Sequence, residues 1–236
     1  MNLSIIEKYR KEYPLIWKEY IDDNIHQITE EDVAGKAVLD IGANIGFVSM
    51  FHLALGARFT VAVEPHPATF EIMKGLVDGH PVIPLNVAAY NGVSKRVHMT
   101  TEEGGNLGIS KSIPADEGVE AFPLSHFLGY FDHSDNDLVL KVDIEGSEYD
   151  FLLYASGTDI RRFQTIFLET HQAPHLTQHA ARKCEYLKTY MSFLGYEIKN
   201  EEIVCMWQWD AAGKVVGCKE VEGNRSIKLK RIENWK

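Results

Sequence analysis

The chain of 236 residues has 24 basic and 34 acidic side chains, a formal net charge of −10. A chain this acidic is a poor general binder of nucleic acid, because cationic contacts with phosphates supply most of that affinity. No apolar run approaches the ~18 residues of a membrane-spanning helix, so we expect neither a signal peptide nor a span, and three scattered cysteines favour a reduced, cytoplasmic protein.

Residues 1–34 are predicted to be a helical extension, in which apolar residues recur at helical spacing among Lys and Glu. Pro14 interrupts the pattern, which therefore predicts two helices rather than one. Such an extension either caps the carboxyl edge of a sheet or, more commonly, covers one of its faces.

The first predicted strand, Ala37–Ile41, is apolar apart from Asp40, as expected of a strand buried on both faces. It runs into a Gly-x-x-x-Gly turn from Gly42 to Gly46, and a helical pattern follows. Ligands of open α/β sheets bind at such turns, outside the carboxyl ends of the strands. Gly42 allows a sharp turn with a ligand against bare backbone. We expect Asp40 to accept hydrogen bonds from amino or hydroxyl groups of that ligand.

The turn does not match the dinucleotide fingerprint Gly-x-Gly-x-x-Gly, because position 44 is Asn. Asp40 would also place a negative charge where a diphosphate lies. An acidic turn suits a cationic nucleoside, and S-adenosylmethionine carries an ammonium and a sulfonium group. The second strand, residues 59–63, ends in Glu64 and Pro65, about 20 residues past the turn, where an acid is placed for ribose hydroxyls.

A third strand over residues 82–86 ends in Asn86, followed by the small apolar residues Val87 and Ala88. Asn86 is either an amide for the edge of an adenine ring or a residue that shapes the turn. Residues 92–123 then interrupt the alternation of strands and helices. Their glycine-rich stretch, residues 101–112, is typical of a lid or binding loop.

A second informative stretch reads Leu-Val-Leu-Lys-Val-Asp-Ile-Glu-Gly-Ser-Glu-Tyr over residues 138–149. It predicts a buried strand over 138–142, and a further strand is predicted over 165–168. Because parallel strands end at the same edge of a sheet, the polar residues at these two ends should meet. Those residues are Lys141, Asp143, Glu145, Glu169 and His171.

This polar group suggests catalysis of proton transfer. A hydroxyl nucleophile benefits from a general base, and we expect Asp143 or His171 to take its proton. Lys141 either neutralises the neighbouring acids or contacts substrate directly. No metal is predicted, but Asp143, Glu169 and His171 make an oxygen-rich ligand set for Mg²⁺.

The C-terminal part is predicted to hold two strands, residues 196–199 and 203–209, that finish the sheet in antiparallel fashion. Residues 211–236 are expected to be an edge strand or a surface arm. Lys228 and Lys230 alternate there with Ile227 and Leu229, and we expect both lysines to face solvent.

Four segments together resemble the FkbM-type methyltransferases. They are residues 38–46, Glu64-Pro65-His66-Pro67, Asn86-Val87-Ala88 and Lys141-Val142-Asp143-Ile144-Glu145-Gly146-Ser147-Glu148. The resemblance covers about residues 36–172, and the Lys-x-Asp-x-Glu-Gly-x-Glu element is its most specific part. It implies a class I methyltransferase domain over residues 35–210, with a Rossmann-like, seven-stranded, mostly parallel sheet and helices on both faces. It also implies S-adenosylmethionine as methyl donor and, usually, O-methylation of a sugar, polyketide or other small metabolite.

The sequence thus predicts a methyltransferase acting on a hydroxyl of a small molecule or glycan, with no nucleic-acid partner. The expected cofactor-binding residues are Asp40, Gly42, Ala43, Asn44, Gly46, Glu64, Pro65, Asn86, Val87, Ala88 and Asp143. The expected catalytic residues are Asp143, His171, Lys141 and Glu169. The alternatives are a non-catalytic nucleoside-binding module, a methyltransferase for a macromolecule and an NAD-dependent oxidoreductase, and a homo-oligomer stays open.

Overall fold

The secondary structure was taken from a computed structural model that describes residues 2–101, 110–114, 118–135, 137–171, 179–209 and 215–233. The strands in chain order are β1 (Ala37–Ile41), β2 (Phe59–Val63), β3 (Val82–Leu85), β4 (Ala88–Ala89), β5 (Arg96–Thr101), β6 (Ser110–Pro114), β7 (Val119–Phe122), β8 (Leu138–Val142), β9 (Phe163–Thr170), β10 (Tyr196–Trp209) and β11 (Val215–Arg231). The helices are α1 (Ser4–Glu7), α2 (Pro14–Trp17), α3 (Glu30–Val33), α4 (Phe47–Ala54), α5 (Pro67–Val77), α6 (Leu124–Phe127), α7 (Glu148–Leu152), α8 (Gly157–Ile160) and α9 (Ala180–Phe193).

A seven-stranded sheet in the order β10-β11-β9-β8-β1-β2-β3 organises the fold. β1 pairs in parallel with β2 and β8, β2 with β3, and β8 with β9, whereas β11 is antiparallel to both β9 and β10. The predicted seven-stranded, mostly parallel sheet is therefore confirmed. A smaller sheet, β4-β7-β5-β6, occupies the region between β3 and β8, and residues 102–109 of the predicted binding loop lie outside the described residues.

The C-terminal strand β11 lies inside the sheet, which corrects the prediction of an edge strand or arm over residues 211–236. Ile227 and Leu229 of β11 are buried, with 1% and 2% exposure, because β9 and β10 flank them. β10 is also one strand with register shifts rather than the two strands predicted.

Helices cover both faces of the sheet, as predicted. On one face, Leu39 and Leu140 of the sheet belong to a core that includes Phe127 of α6, Phe151 of α7 and Leu187 of α9. On the other face, Val38 and Val139 belong to a core that includes Phe47 of α4 and Met73 of α5.

The N-terminal extension packs on the second of these faces. Its buried residues Ile6, Trp17 and Ile28 belong to the core of α4 and α5, and the Trp17 ring meets Phe47 edge-on at a centroid distance of 6.2 Å. Pro14 begins α2, as its interruption of the pattern predicted. None of the described helices has the length and apolar character needed to cross a membrane.

Asp32 ties the extension to β11. Its carboxylate is fully buried and lies 2.7 Å from Lys228 Nζ and 3.0 Å from Lys230 Nζ, and it accepts a hydrogen bond from the Thr29 backbone N–H at 2.9 Å. The two lysines were expected to face solvent, but they neutralise this carboxylate. Burial alone would raise the pKa of Asp32, yet the hydrogen bonds from Lys228, Thr29 and Lys230 lower it below its usual value.

We expect Asp32→Asn to lower the free energy of unfolding by about 3 kcal/mol, because it leaves two lysines without their buried partner. The pKa of Asp32 is lower in the folded than in the unfolded chain. Its stabilisation is therefore present at neutral pH and is lost as the pH falls below about 3.9. Urea unfolding of Asp32→Asn and of Glu31→Gln, whose side chain is 88% exposed, measures the effect. Equal stability of the two variants would contradict this role.

Candidate active site

The glycine turn after β1 fits against the end of β8. Gly42 has φ +77°, and a Cβ atom there would lie 1.8 Å from the Asp143 carbonyl oxygen. Gly42 thus provides room for the neighbouring strand end as well as a sharp turn. Gly46 makes room for α5, because a Cβ atom there would lie 2.8 Å from Met73 Cγ and 2.9 Å from Val77 Cγ1.

Glu64 links the end of β2 to this turn. Its carboxylate accepts hydrogen bonds from the backbone N–H groups of Asn44 at 3.0 Å and His66 at 2.8 Å. Glu64 is 7% exposed, and burial raises its pKa to about 7 against the opposing effect of those two hydrogen bonds. Asn44 takes the left-handed conformation, with φ +50°, which presents its N–H to Glu64.

Asn86 holds the loop after β2. Its side-chain Nδ2 donates to the carbonyl oxygens of Glu64 at 2.9 Å and Pro65 at 3.1 Å. The amide nitrogen therefore shapes the loop, which favours the second of the two interpretations of Asn86. Val87 is half-buried beside it and Ala88 is buried.

Lys141 lies beneath the turn with 1% exposure. Its Nζ donates to the Gly42 carbonyl oxygen at 2.9 Å and lies 3.4 Å from Asp143 Oδ2 and 3.6 Å from Asp40 Oδ1. Burial opposes the charge, but attraction to Asp143 and Asp40 outweighs it and raises the pKa of Lys141. Lys141 is therefore an internal cation that neutralises the acids.

Asp40 is fully buried, which differs from the expectation that it meets a ligand directly. Its Oδ2 accepts a hydrogen bond from Ser49 Oγ of α4 at 2.6 Å, and its Oδ1 faces Lys141. Because β1 alternates its side chains between faces, Asp40 points to the α4 face of the sheet rather than up from its edge. Its contacts position Lys141.

The ends of β8 and β9 bring Asp143, Glu145, Glu169 and His171 together, as their strand-end positions led us to expect. His171 Nε2 lies 3.2 Å from Glu145 Oε2, 3.5 Å from Glu169 Oε1 and 3.8 Å from Asp143 Oδ1. Burial would lower the pKa of His171, but Glu145 and Glu148 raise it well above its usual value. The surrounding carboxylates therefore favour the protonated form of the imidazole.

The imidazolium form has no free lone pair on nitrogen, so these contacts disfavour His171 as the general base. Asp143 is a weak base as well, because Lys141 and His171 overcome its burial and lower its pKa. Burial instead raises the pKa of Glu145 to about 8, and burial together with Asp143 raises that of Glu169. The two glutamates are thus the stronger bases of the group.

Glu148, in the Lys-x-Asp-x-Glu-Gly-x-Glu element, was not expected at the site. Its buried carboxylate accepts hydrogen bonds from the backbone N–H groups of Gly146 at 2.8 Å and His171 at 2.7 Å. Glu148 therefore joins the turn after β8 to the end of β9. Within that turn, Glu145 has φ +52°. The sequence did contain a signal for Glu148, because it is the last acidic residue of the Lys-x-Asp-x-Glu-Gly-x-Glu element.

The N-terminal extension also reaches this edge. His26 is 2% exposed, its Nδ1 lies 2.9 Å from Ser226 Oγ of β11, and its Nε2 lies 3.7 Å from Glu169 Oε2. Burial raises the pKa of Glu19 to about 8, with Glu169 and Asp143 adding to the shift. The extension therefore covers a face of the sheet and also contributes side chains to the site. No motif in the sequence of the extension indicated that contribution.

The strand order, with the last strand inserted antiparallel between the fifth and sixth long strands, is that of the class I methyltransferase fold. The acidic site lies at the carboxyl ends of its parallel strands. The chain belongs to the family of the methyltransferase FkbM domain, whose family model matches residues 40–198.

A comparison with solved structures found several methyltransferases of low sequence identity. TrmK from M. capricolum, in complex with S-adenosylhomocysteine, has a TM-score of 0.49 and 8% identity over 89% of this chain and 66% of that one. Precorrin-6y C5,15-methyltransferase from Geobacter metallireducens has a TM-score of 0.45 and 14% identity, over 84% of this chain and 82% of that one. Aeropyrum pernix fibrillarin with S-adenosylmethionine has a TM-score of 0.46 and 12% identity, over 84% of this chain and 67% of that one. A search of curated protein sequences found no match.

We expect Gly42→Ala to destabilise the protein by at least about 2 kcal/mol, since left-handed backbone costs a non-glycine residue about 1–2 kcal/mol and the Cβ atom also displaces β8. Gly75→Ala in α5 is the matched control, because a Cβ atom there meets nothing within 4 Å. This control should stabilise the helix by about 0.5–1 kcal/mol. Urea unfolding separates the two, and a tolerated Gly42→Ala would contradict the close fit.

Proposed function

We propose that the protein is an S-adenosylmethionine-dependent O-methyltransferase that acts on a hydroxyl group of a small molecule or glycan. The observation that carries the proposal is the convergence of the glycine turn, Glu64 and the acidic ends of β8 and β9 at one edge of the sheet. Membership of the FkbM methyltransferase family supports the reaction class. The net charge of −10 favours an acceptor without phosphates.

The cofactor is proposed to lie along the turn, with its methionine part against the protein backbone of residues 42–46. Glu64 is proposed to bind ribose hydroxyls, because two backbone N–H groups fix its carboxylate beside the turn and leave a second lone pair on each oxygen. Pro65, Val87 and Ala88 supply the small apolar surface for the adenine, with Asn86 shaping that loop. Asp143 supplies negative charge toward the ammonium and sulfonium groups.

Methyl transfer to oxygen requires the acceptor to be held in line behind the methyl group with water excluded. S-adenosylmethionine supplies the electrophilic methyl. We propose that Glu145 is the general base that takes the proton of the acceptor hydroxyl. Its side chain is 21% exposed, and its pKa is raised to about 8. The charged forms of Lys141 and His171, which the surrounding carboxylates favour, reduce the repulsion among those carboxylates.

Binding of S-adenosylmethionine is tested by thermal unfolding and calorimetry, with NAD as the comparison ligand. At a concentration about 100 times its dissociation constant, the cofactor should stabilise the chain by about 2.7 kcal/mol, and NAD should not. Release of S-adenosylhomocysteine in the presence of hydroxylated acceptors distinguishes an enzyme from a binding module. Absence of any stabilisation by S-adenosylmethionine would overturn the proposal.

Glu145→Gln should lower kcat by about 10²–10⁴-fold while cofactor binding is retained, because it removes the general base. With the unmodified chain, kcat/KM should rise with pH and level off above about 8, since the base acts when deprotonated. Glu185→Gln on α9, whose side chain is 74% exposed, is the control. Unchanged kcat in Glu145→Gln would exclude this assignment.

A further inference from the structure

His26 is a buried histidine with one unpartnered nitrogen aimed at the acidic edge. Its side chain is fully buried, and Nε2 has no hydrogen-bond partner among the described residues. Nε2 faces Glu169 Oε2 at 3.7 Å, and a carboxylate oxygen of Asp143 lies within 4.8 Å of the ligand atoms of both. A fully buried imidazole nitrogen thus lies near two carboxylates without a hydrogen bond to either, which leaves its lone pair available to a cation.

We propose that His26, Asp143 and Glu169 bind a divalent transition-metal ion. Metal–ligand bonds of about 2.0–2.2 Å place neighbouring ligand atoms about 3–3.5 Å apart, so the described spacing needs only small side-chain movements. The set combines an imidazole, a ligand typical of Zn²⁺, with two carboxylates, which are typical ligands of Mn²⁺. The Nδ1 of His26 meets Ser226 Oγ at 2.9 Å, the kind of contact that orients a ligating histidine.

His171 is the less suitable nitrogen ligand of this edge. Its Nε2 lies close to oxygens of Glu145 and Glu169, and its Nδ1 lies 3.5 Å from Glu148 Oε1 without a hydrogen bond to it. Three carboxylates thus surround the ring and favour its protonated form, which does not bind a metal ion. The ligand set therefore takes its nitrogen from the N-terminal extension rather than from the end of β9. The N-terminal extension thereby becomes part of the proposed active site.

The charges at this edge also favour a cation. Asp40, Asp143, Glu145, Glu148 and Glu169 lie within contact distance of Lys141 or His171, so carboxylates outnumber these two cations. A divalent ion would favour the ionised form of these carboxylates.

The proposal narrows the substrate class, and this step rests on the proposed function. Three protein ligands leave open positions on the ion, at the end of β8 where the acceptor hydroxyl is expected. An acceptor with two neighbouring oxygen atoms, such as a vicinal diol or an α-hydroxy acid, fills two of them. Coordination lowers the pKa of the hydroxyl that is methylated.

The test is electron paramagnetic resonance of Mn²⁺ titrated with the full chain after removal of metals with a chelator. We expect one Mn²⁺ bound per chain, with affinity weakened at least about tenfold in His26→Leu and in Glu169→Gln, since even lost outer-shell partners cost that much. His52→Leu is the control, because His52 is also buried without hydrogen-bond partners but is outside the ligand set. If His26→Leu does not fold, His26→Asn replaces it.

No binding of Mn²⁺ or Zn²⁺ would overturn the proposal. So would affinity that falls in Glu145→Gln but not in His26→Leu, because the ion would then lie on the alternative group of Asp143, Glu145 and His171. Cofactor affinity is measured separately in the presence of chelator. Retained S-adenosylmethionine binding without metal binding contradicts the metal site alone, whereas absent cofactor binding contradicts the proposed function.

Discussion

The ammonium group of Lys141 holds the glycine turn and the acidic strand ends in one site. It bonds the Gly42 carbonyl oxygen from below and lies between Asp40 and Asp143, with 1% exposure. Buried ion pairs gain little net stability, because both charges lose their hydration, but removal of one partner leaves the other uncompensated. The arrangement therefore fixes geometry and charge more than it adds to stability.

The N-terminal extension and β11 meet beside this site through polar contacts. Asp32 of the extension pairs with Lys228 of β11, and His26 meets Ser226 of the same strand. These contacts join residues that are about 200 positions apart in the sequence. The extension and β11 thus lie together beside the end of β9, and the extension adds a side chain, His26, that the sheet itself does not provide.

The sequence predicts the parts of the fold that have a local signature. β1, β2 and β8 have the predicted bounds, because a strand buried on both faces reads as a short apolar run. The insertion of β11 was missed, since alternating apolar and charged residues fit an edge strand as well as one whose lysines meet Asp32. The contribution of His26 and the reversed role of His171 depend on tertiary neighbours, which no spacing in the sequence reveals.

The most direct test of the central role of Lys141 is the free energy of unfolding of Lys141→Met and of the unmodified chain between about pH 5 and 8. Burial opposes ionisation of Asp143, and Lys141 is the first charge that outweighs it. Without the ammonium group, the pKa of Asp143 should rise above its unfolded value, so the folded chain binds extra protons and loses stability as the pH rises. The account predicts that the stability of the variant falls more steeply with pH than that of the unmodified chain. Two parallel curves would contradict it.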